Sequence, residues 1–83
     1  MKYAYIGIYT LTDGHRAVEL LRDRIPVRLG RMPLAAGSSG CAHALRLSLT
    51  FVSEAKRILR EAGIRTGKTV MILSDGKVRE LQK

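Results

Sequence analysis

Apolar residues recur along this chain with two different periods. Residues 3–9 are rich in aromatic and β-branched side chains and alternate as in a half-buried strand. Ala17, Leu20, Leu21 and Ile25 are instead spaced for one face of a helix. Both patterns return further along, and together they predict six elements in the order β-α-β-β-α-β, over residues 3–9, 13–24, 27–32, 41–49, 51–62 and 68–74.

Capping residues mark where the two predicted helices begin and end. Thr12 or Asp13 can accept hydrogen bonds from the free N–H groups at the start of the first helix. Ser48 or Thr50 can do the same for the second helix, which Gly63 closes as a C-cap. The helices are therefore expected to be short and separated by strands.

The element order predicts the fold class. A β-α-β-β-α-β chain is typical of the ferredoxin-like α+β arrangement, a four-stranded antiparallel sheet with two helices on one face. We expect residues 1–74 to form this single domain and residues 75–83, which begin with an Asp75-Gly76 turn, to form a polar C-terminal tail.

Length and composition narrow the class of protein. Eighty-three residues are enough for one small domain. No apolar run reaches the roughly 18 residues of a membrane span, and the N-terminus does not have the pattern of a secretory signal. The chain has one cysteine, so an internal disulfide framework is excluded. These features indicate a cytoplasmic protein in a reducing compartment.

The chain is strongly basic, with 15 Lys and Arg residues against seven Asp and Glu and a formal net charge of +8. This charge favours an anionic partner, either nucleic acid or an acidic protein. The basic residues are dispersed, which argues against a dedicated nucleic-acid patch. The first predicted strand carries three tyrosines at positions that point to the same face, Tyr3, Tyr5 and Tyr9. Their rings could stack RNA bases or pack a homodimer interface.

The sole cysteine, Cys41, follows a run of small residues that includes Ser38, Ser39 and Gly40. Such a run can expose a thiol and turn backbone N–H groups toward it. The predicted topology brings this loop to the end of the sheet where the first helix begins. His15 and Arg16 lie in that helix, and His43 is two residues beyond the cysteine on the same predicted strand face.

This arrangement could lower the pKa of the thiol, because a nearby cation or helix N-terminus stabilises the thiolate. Cys41 could equally be a partly buried small hydrophobic residue, with both histidines on the surface. The cysteine and histidines lack the paired spacing of a structural zinc site, so no metal is expected. No pair of carboxylates suggests hydrolysis, and no cofactor motif is present.

Several segments resemble a small prokaryotic family of unknown function, the selenium/sulfur carrier-like proteins. They are the turn Thr12–His15, the segment Ile25–Leu29, Met32-Pro33, the run Ser38–Cys41 and the following Ala44–Arg46, with further similarity up to Ile64. The resemblance implies a carrier that holds sulfur or selenium on Cys41 as a persulfide or perselenide. It also implies a cysteine desulfurase-type donor and a biosynthetic acceptor enzyme.

Two classes of function therefore remain open. The first is a thiol carrier or accessory protein rather than an enzyme, with His15, Arg16 and His43 adjusting the ionisation of Cys41. The second is a small basic interaction or regulatory domain that binds an acidic protein or RNA, with a structural cysteine. An accessible, acidic thiol distinguishes the first class from the second.

Overall fold

The computed structural model describes residues 2–33, 42–73 and 75–81. They form an α+β domain with two helices and one five-stranded sheet. In chain order the elements are β1 (Tyr3–Ile8), α1 (Leu11–Leu21), β2 (Val27–Arg31), β3 (His43–Ser48), α2 (Val52–Glu61), β4 (Thr66–Ile72) and β5 (Val78–Leu81).

The sheet has the strand order β2-β3-β1-β4-β5, and every pair of neighbours is antiparallel. The central strand, β1, ends at Ile8, which lies opposite His43 in β3 and Thr66 in β4. The end of β1 therefore meets the beginnings of β3 and β4 at one end of the sheet. Since α1 starts three residues after Ile8, its N-terminus lies at this end too.

The fifth strand corrects the expected four-stranded sheet. The sequence predicts a polar tail over residues 75–83, but Val78–Leu81 pair with β4, and Val78 lies opposite Ile72. A tight turn produces this hairpin: Gly76 has a φ of +86°, and Asp75 Oδ1 accepts the Lys77 N–H at 2.9 Å. A positive φ costs glycine almost nothing, which explains the abrupt reversal.

Helix α1 begins earlier than its predicted caps. Thr10, rather than Thr12 or Asp13, is the N-cap, and its Oγ1 accepts the Asp13 N–H at 3.1 Å. Asp13 instead lies in the first turn, where its carboxylate interacts favourably with the positive end of the helix dipole. Gly14 faces the sheet and is buried.

A 3₁₀ turn over Leu49–Phe51 leads into α2, and Ser48 Oγ accepts the Thr50 N–H at 3.4 Å. Ser48 therefore caps the 3₁₀ turn rather than the α-helix itself. Ala62 is the C-cap of α2, and Gly63 follows it with a φ of +76°, so the helix ends one residue before the predicted C-cap. The Ile64 N–H donates to the Leu59 carbonyl at 2.9 Å, a bond that satisfies an otherwise free carbonyl of the last turn.

The main core lies between the helices and one face of the sheet. Its fully buried side chains come from both helices and from alternate residues of the strands, which share the face toward the helices. They include Ile6, Ile8, Leu21, Leu45, Leu47 and Leu59. A smaller cluster of Met32, Ala44 and Val70, with Tyr5 and Val78 against it, lies on the other face. No residue of α1 or α2 belongs to this second cluster, so we call that side of the sheet the second face.

Among the described residues, neither helix is long and apolar enough to cross a membrane.

Candidate functional site

The predicted thiol site lies largely beyond the part of the chain that the structure describes. Cys41, Ser38, Ser39 and Gly40 all fall within residues 34–41, outside the described ranges. The residues on either side are described. The Met32 N–H donates to the Ala42 carbonyl at 3.1 Å, one step beyond the paired residues Arg31 and His43. The chain therefore leaves β2 and returns to β3 at the end of the sheet where α1 begins.

His15 and Arg16 lie on the exposed surface of α1, in its second turn. The Arg16 guanidinium forms an ion pair with Asp13, with Nη1 3.7 Å from Oδ1. More than half of the Arg16 side chain is exposed, so this pair contributes little to stability. Arg16 is thus engaged with its own helix.

His43 is the first residue of β3 and is half-buried. It lies opposite Ile8 in β1 and Arg31 in β2. Because side chains alternate along a strand, His43 shares a face with Leu45, which packs in the main core beneath the helices. His43 thus lies at the end of the sheet where α1 begins, and His15 lies in the second turn of that helix. Within the described ranges, neither forms an ion pair with a carboxylate.

Among the described residues, no group of three or more His, Cys, Asp or Glu side chains could hold a metal ion.

A second candidate site lies at the opposite end of the sheet, where β1 begins and β3 ends. It is a groove of about 690 Å³ whose lining includes Tyr3, Pro26, Val27, Arg28, Arg46 and Phe51. We call it the arginine–tyrosine groove. Its volume falls within the range of small-molecule binding sites, roughly 300–1,000 Å³.

Two arginines determine the charge of this groove. Arg28 in β2 lies directly opposite Arg46 in β3. The Arg46 guanidinium also lies over the Tyr3 ring, with Cζ 4.1 Å from the ring centroid. No carboxylate among the described residues lines the groove or pairs with either arginine. The groove therefore combines an aromatic ring with two cations that lack an anionic partner in the described chain.

The ion pairs that the described residues do form lie elsewhere. Arg16, Arg22 and Arg57 pair with carboxylates on their own helices. Lys68 in β4 pairs with Glu80 in β5 at 3.3 Å. The four acidic side chains in these ion pairs therefore lie outside the groove, and the groove keeps a positive charge.

The three tyrosines that were expected on one face of the first strand do not all lie in that strand. Tyr3 and Tyr5 lie in β1 on the second face, with Tyr3 37% exposed and Tyr5 packed against the smaller cluster. Tyr9 follows the last residue of the strand, and the Arg65 guanidinium lies over its ring at 5.4 Å. The strand itself thus carries two of the three tyrosines, of which Tyr3 lines the groove.

Sequence reasoning missed the groove because the groove depends on pairing register. Arg28 and Arg46 are 18 positions apart, and only the β2–β3 pairing places them side by side. A usable signal was present, because each arginine alternates with apolar residues along its strand, Val27 and Leu29 in one case and Leu45 and Leu47 in the other. Both arginines are therefore expected on the face away from the main core.

Comparison of the chain with models of protein families, with curated proteins and with solved structures found no match.

Proposed function

We propose that the protein is a sulfur or selenium carrier that holds a persulfide or perselenide on Cys41. The observation that carries this proposal is the sole cysteine of the chain, preceded by the small residues Ser38, Ser39 and Gly40. A run of this kind can expose a thiol and can turn backbone N–H donors toward it. The resemblance of the same run to the selenium/sulfur carrier-like proteins supports the proposal.

The described residues around the loop supply groups that suit this chemistry. Ala42, the residue after Cys41, is hydrogen-bonded to Met32 at the end of the sheet where α1 begins. His43 begins β3 at this end, and His15 and Arg16 lie in the second turn of α1. In the proposal, they raise the local positive potential and so favour the thiolate of Cys41 over the thiol.

The transfer itself is an exchange at sulfur. The Cys41 thiolate attacks the outer sulfur of a persulfide on the donor enzyme. A new S–S bond to Cys41 forms as the donor's S–S bond breaks, and the donor cysteine leaves as a thiolate. The terminal sulfur keeps its proton, and no external oxidant or reductant is consumed. A second exchange with an acceptor thiol returns Cys41 to its free form.

The donor in this proposal is a cysteine desulfurase-type enzyme, and the acceptor is a biosynthetic enzyme. The protein then acts as a carrier rather than as an enzyme in its own right. It works in the reducing cytoplasm, where a single exposed thiol stays reduced between transfers.

We also infer that β1 to β4 and the two helices form a ferredoxin-like unit, with β5 as an addition at its edge. The order β-α-β-β-α-β along the chain and the spatial order β2-β3-β1-β4 support this inference. The unit then presents the Cys41 loop as its β2–β3 connection.

The carrier proposal is tested by loading. The purified protein is incubated with a cysteine desulfurase and cysteine, and its intact mass is measured without reductant. We expect one added sulfur atom on the protein, removed by a thiol reductant, and no addition to Cys41→Ser. An unchanged mass, or an equal addition to Cys41→Ser, contradicts the proposal and favours an interaction domain with a structural cysteine.

A further inference from the structure

Two arginines at directly opposite positions of neighbouring strands are an unusual arrangement, because both carry a positive charge on the same face of the sheet. Directly opposite residues in an antiparallel pair have Cβ atoms roughly 4.5–5.5 Å apart, and like charges at such positions are destabilising. Arg28 and Arg46 occupy such positions, and no described carboxylate offsets their repulsion. A bound anion that contacts both groups would remove the repulsion.

Arg46 is also held in a defined orientation. Its guanidinium lies 4.1 Å from the centroid of the Tyr3 ring, which is a close cation–π distance. Arg46 is exposed and lines the groove, so a ligand in the groove can contact the guanidinium that Tyr3 holds in place. Arginine planes stack well on nucleobases, because both are flat and delocalised.

The rest of the groove suits the same kind of ligand. Pro26, Val27 and Phe51 contribute apolar surface beside the arginines. A ligand that fills the groove must therefore have both an apolar flat part and an anionic part. A nucleotide unit has both: the base for the stacked guanidinium and the apolar wall, and the phosphate for the paired cations.

We propose that the arginine–tyrosine groove binds single-stranded nucleic acid. One base stacks on the Arg46 guanidinium, which Tyr3 supports from behind, and Arg28 binds an adjacent phosphate. The net charge of +8 favours a polyanion over a free nucleotide, since each further phosphate gains from the same field. An acidic peptide satisfies the two guanidiniums but has no flat group to stack on Arg46.

The groove is distinct from the loop that carries Cys41. It lies at the start of β1, beside Tyr3, whereas the loop joins the sheet near Ile8. Five residue steps along β1, from Tyr3 to Ile8, separate the two ends of the sheet by about 17 Å. Binding in the groove therefore does not depend on the carrier proposal, and either can fail alone.

The test is fluorescence anisotropy with a labelled single-stranded RNA of about ten nucleotides, within the site sizes of single-strand binding folds. The variants are Arg28→Gln, Arg46→Gln and Arg46→Lys. The matched control is Arg60→Gln, which removes the same charge from an exposed position on α2, on the helical side of the sheet. Thermal melting of each variant shows that it is folded.

We expect Arg46→Gln to weaken binding at least about tenfold, the value of one stacked base. Arg46→Lys should weaken it nearly as much, because lysine keeps the charge but loses the flat surface. Arg28→Gln should weaken binding and lower the slope of log K against log salt concentration by about 0.7, the contribution of one phosphate contact. Arg60→Gln should change the affinity less than twofold.

Three results would each overturn the proposal. The first is an equal effect of Arg28→Gln, Arg46→Gln and Arg60→Gln, which would indicate diffuse attraction of RNA by net charge. The second is equal competition by a polyglutamate peptide of the same length, which would assign the groove to acidic proteins. The third is no saturable binding at physiological salt below the roughly 10⁻⁴ M typical of non-specific complexes.

Discussion

Arg28 and Arg46 lie directly opposite each other in the pairing of β2 with β3. One of them, Arg46, stacks on Tyr3, and the other lies on the outermost strand of the sheet. A pair of like charges in this position lowers the stability of the sheet without any evident structural benefit. We therefore interpret the pair as a binding feature that the fold tolerates at some cost.

Replacement of Arg28 with Glu should separate stability from binding. The new carboxylate lies opposite Arg46 and turns a repulsive pair into an attractive one, worth roughly 0.2–1 kcal/mol in the free energy of unfolding. Urea denaturation should rank Arg28→Glu above Arg28→Gln and both above the unmodified chain. Nucleic-acid binding should be lost in Arg28→Glu. A variant that is less stable than the unmodified chain would refute the repulsion.

The approach of α1 to β2 depends on the small size of Gly14. A Cβ atom at this position would lie 2.7 Å from Cδ1 and 3.0 Å from Cδ2 of Leu29. Gly14→Ala gains helix propensity of about 1 kcal/mol, but Leu29 must move to admit the methyl group. We expect Gly14→Ala to be more favourable in a Leu29→Ala background, with a coupling of about 0.5–3 kcal/mol in a double-mutant cycle.

The same cycle can refute this account of the helix contact. If Gly14→Ala changes the free energy of unfolding equally in both backgrounds, Leu29 does not limit the space at position 14.

Thr69 in β4 carries a buried hydroxyl. The residue is 2% exposed, and among the described residues its Oγ1 has no hydrogen-bond partner. A buried, unsatisfied hydroxyl costs roughly 1–3 kcal/mol, and valine has nearly the same shape. Thr69→Val should raise the free energy of unfolding by about 1 kcal/mol. Thr66→Val, at a half-buried position of the same strand, should change it by less than about 0.5 kcal/mol. Equal effects at the two positions would contradict the assignment.

Strand β5 should stabilise the domain without being required for folding. Its Leu81 packs against the main core, and Lys68 and Glu80 form an ion pair between β4 and β5. Truncation after Gly76 also removes Val78 from the smaller cluster, and it should lower the free energy of unfolding by about 1.5–3 kcal/mol, because both side chains are only partly buried. Unfolding should remain cooperative. An unfolded truncated chain would show that β5 belongs to the essential unit, against the ferredoxin-like inference.

The sequence predicts most of the fold because the first six elements have strong periodic patterns. The strand β5 was missed for an identifiable reason. Val78 and Leu81 are three positions apart, which does not match the alternation of a strand. The informative signal was Asp75-Gly76 after an apolar run, since Asp-Gly is a strong hairpin indicator. The pairing of β5 with β4 depends on that turn more than on the strand's own residues.

The two candidate sites also differ in how far the sequence alone can locate them. Cys41 can be identified from the sequence alone, because it is the single thiol and its neighbours are small. The pairing of Arg28 with Arg46 cannot, because register depends on how the chain closes between β2 and β3. The stacking of Arg46 on Tyr3 depends in addition on the pairing of β1 with β3. A candidate with a local signal can thus be named from the sequence, whereas a contact across strands cannot.

The most direct test of the carrier proposal is the alkylation rate of Cys41 as a function of pH. A carrier thiol must be accessible and must ionise more readily than an ordinary cysteine, whose pKa is about 8.5. With iodoacetamide and the folded protein, we predict a rate that reaches half its maximum clearly below pH 8.5, with no modification of Cys41→Ser. A midpoint at or above pH 8.5, or no reaction until the protein unfolds, would contradict the account.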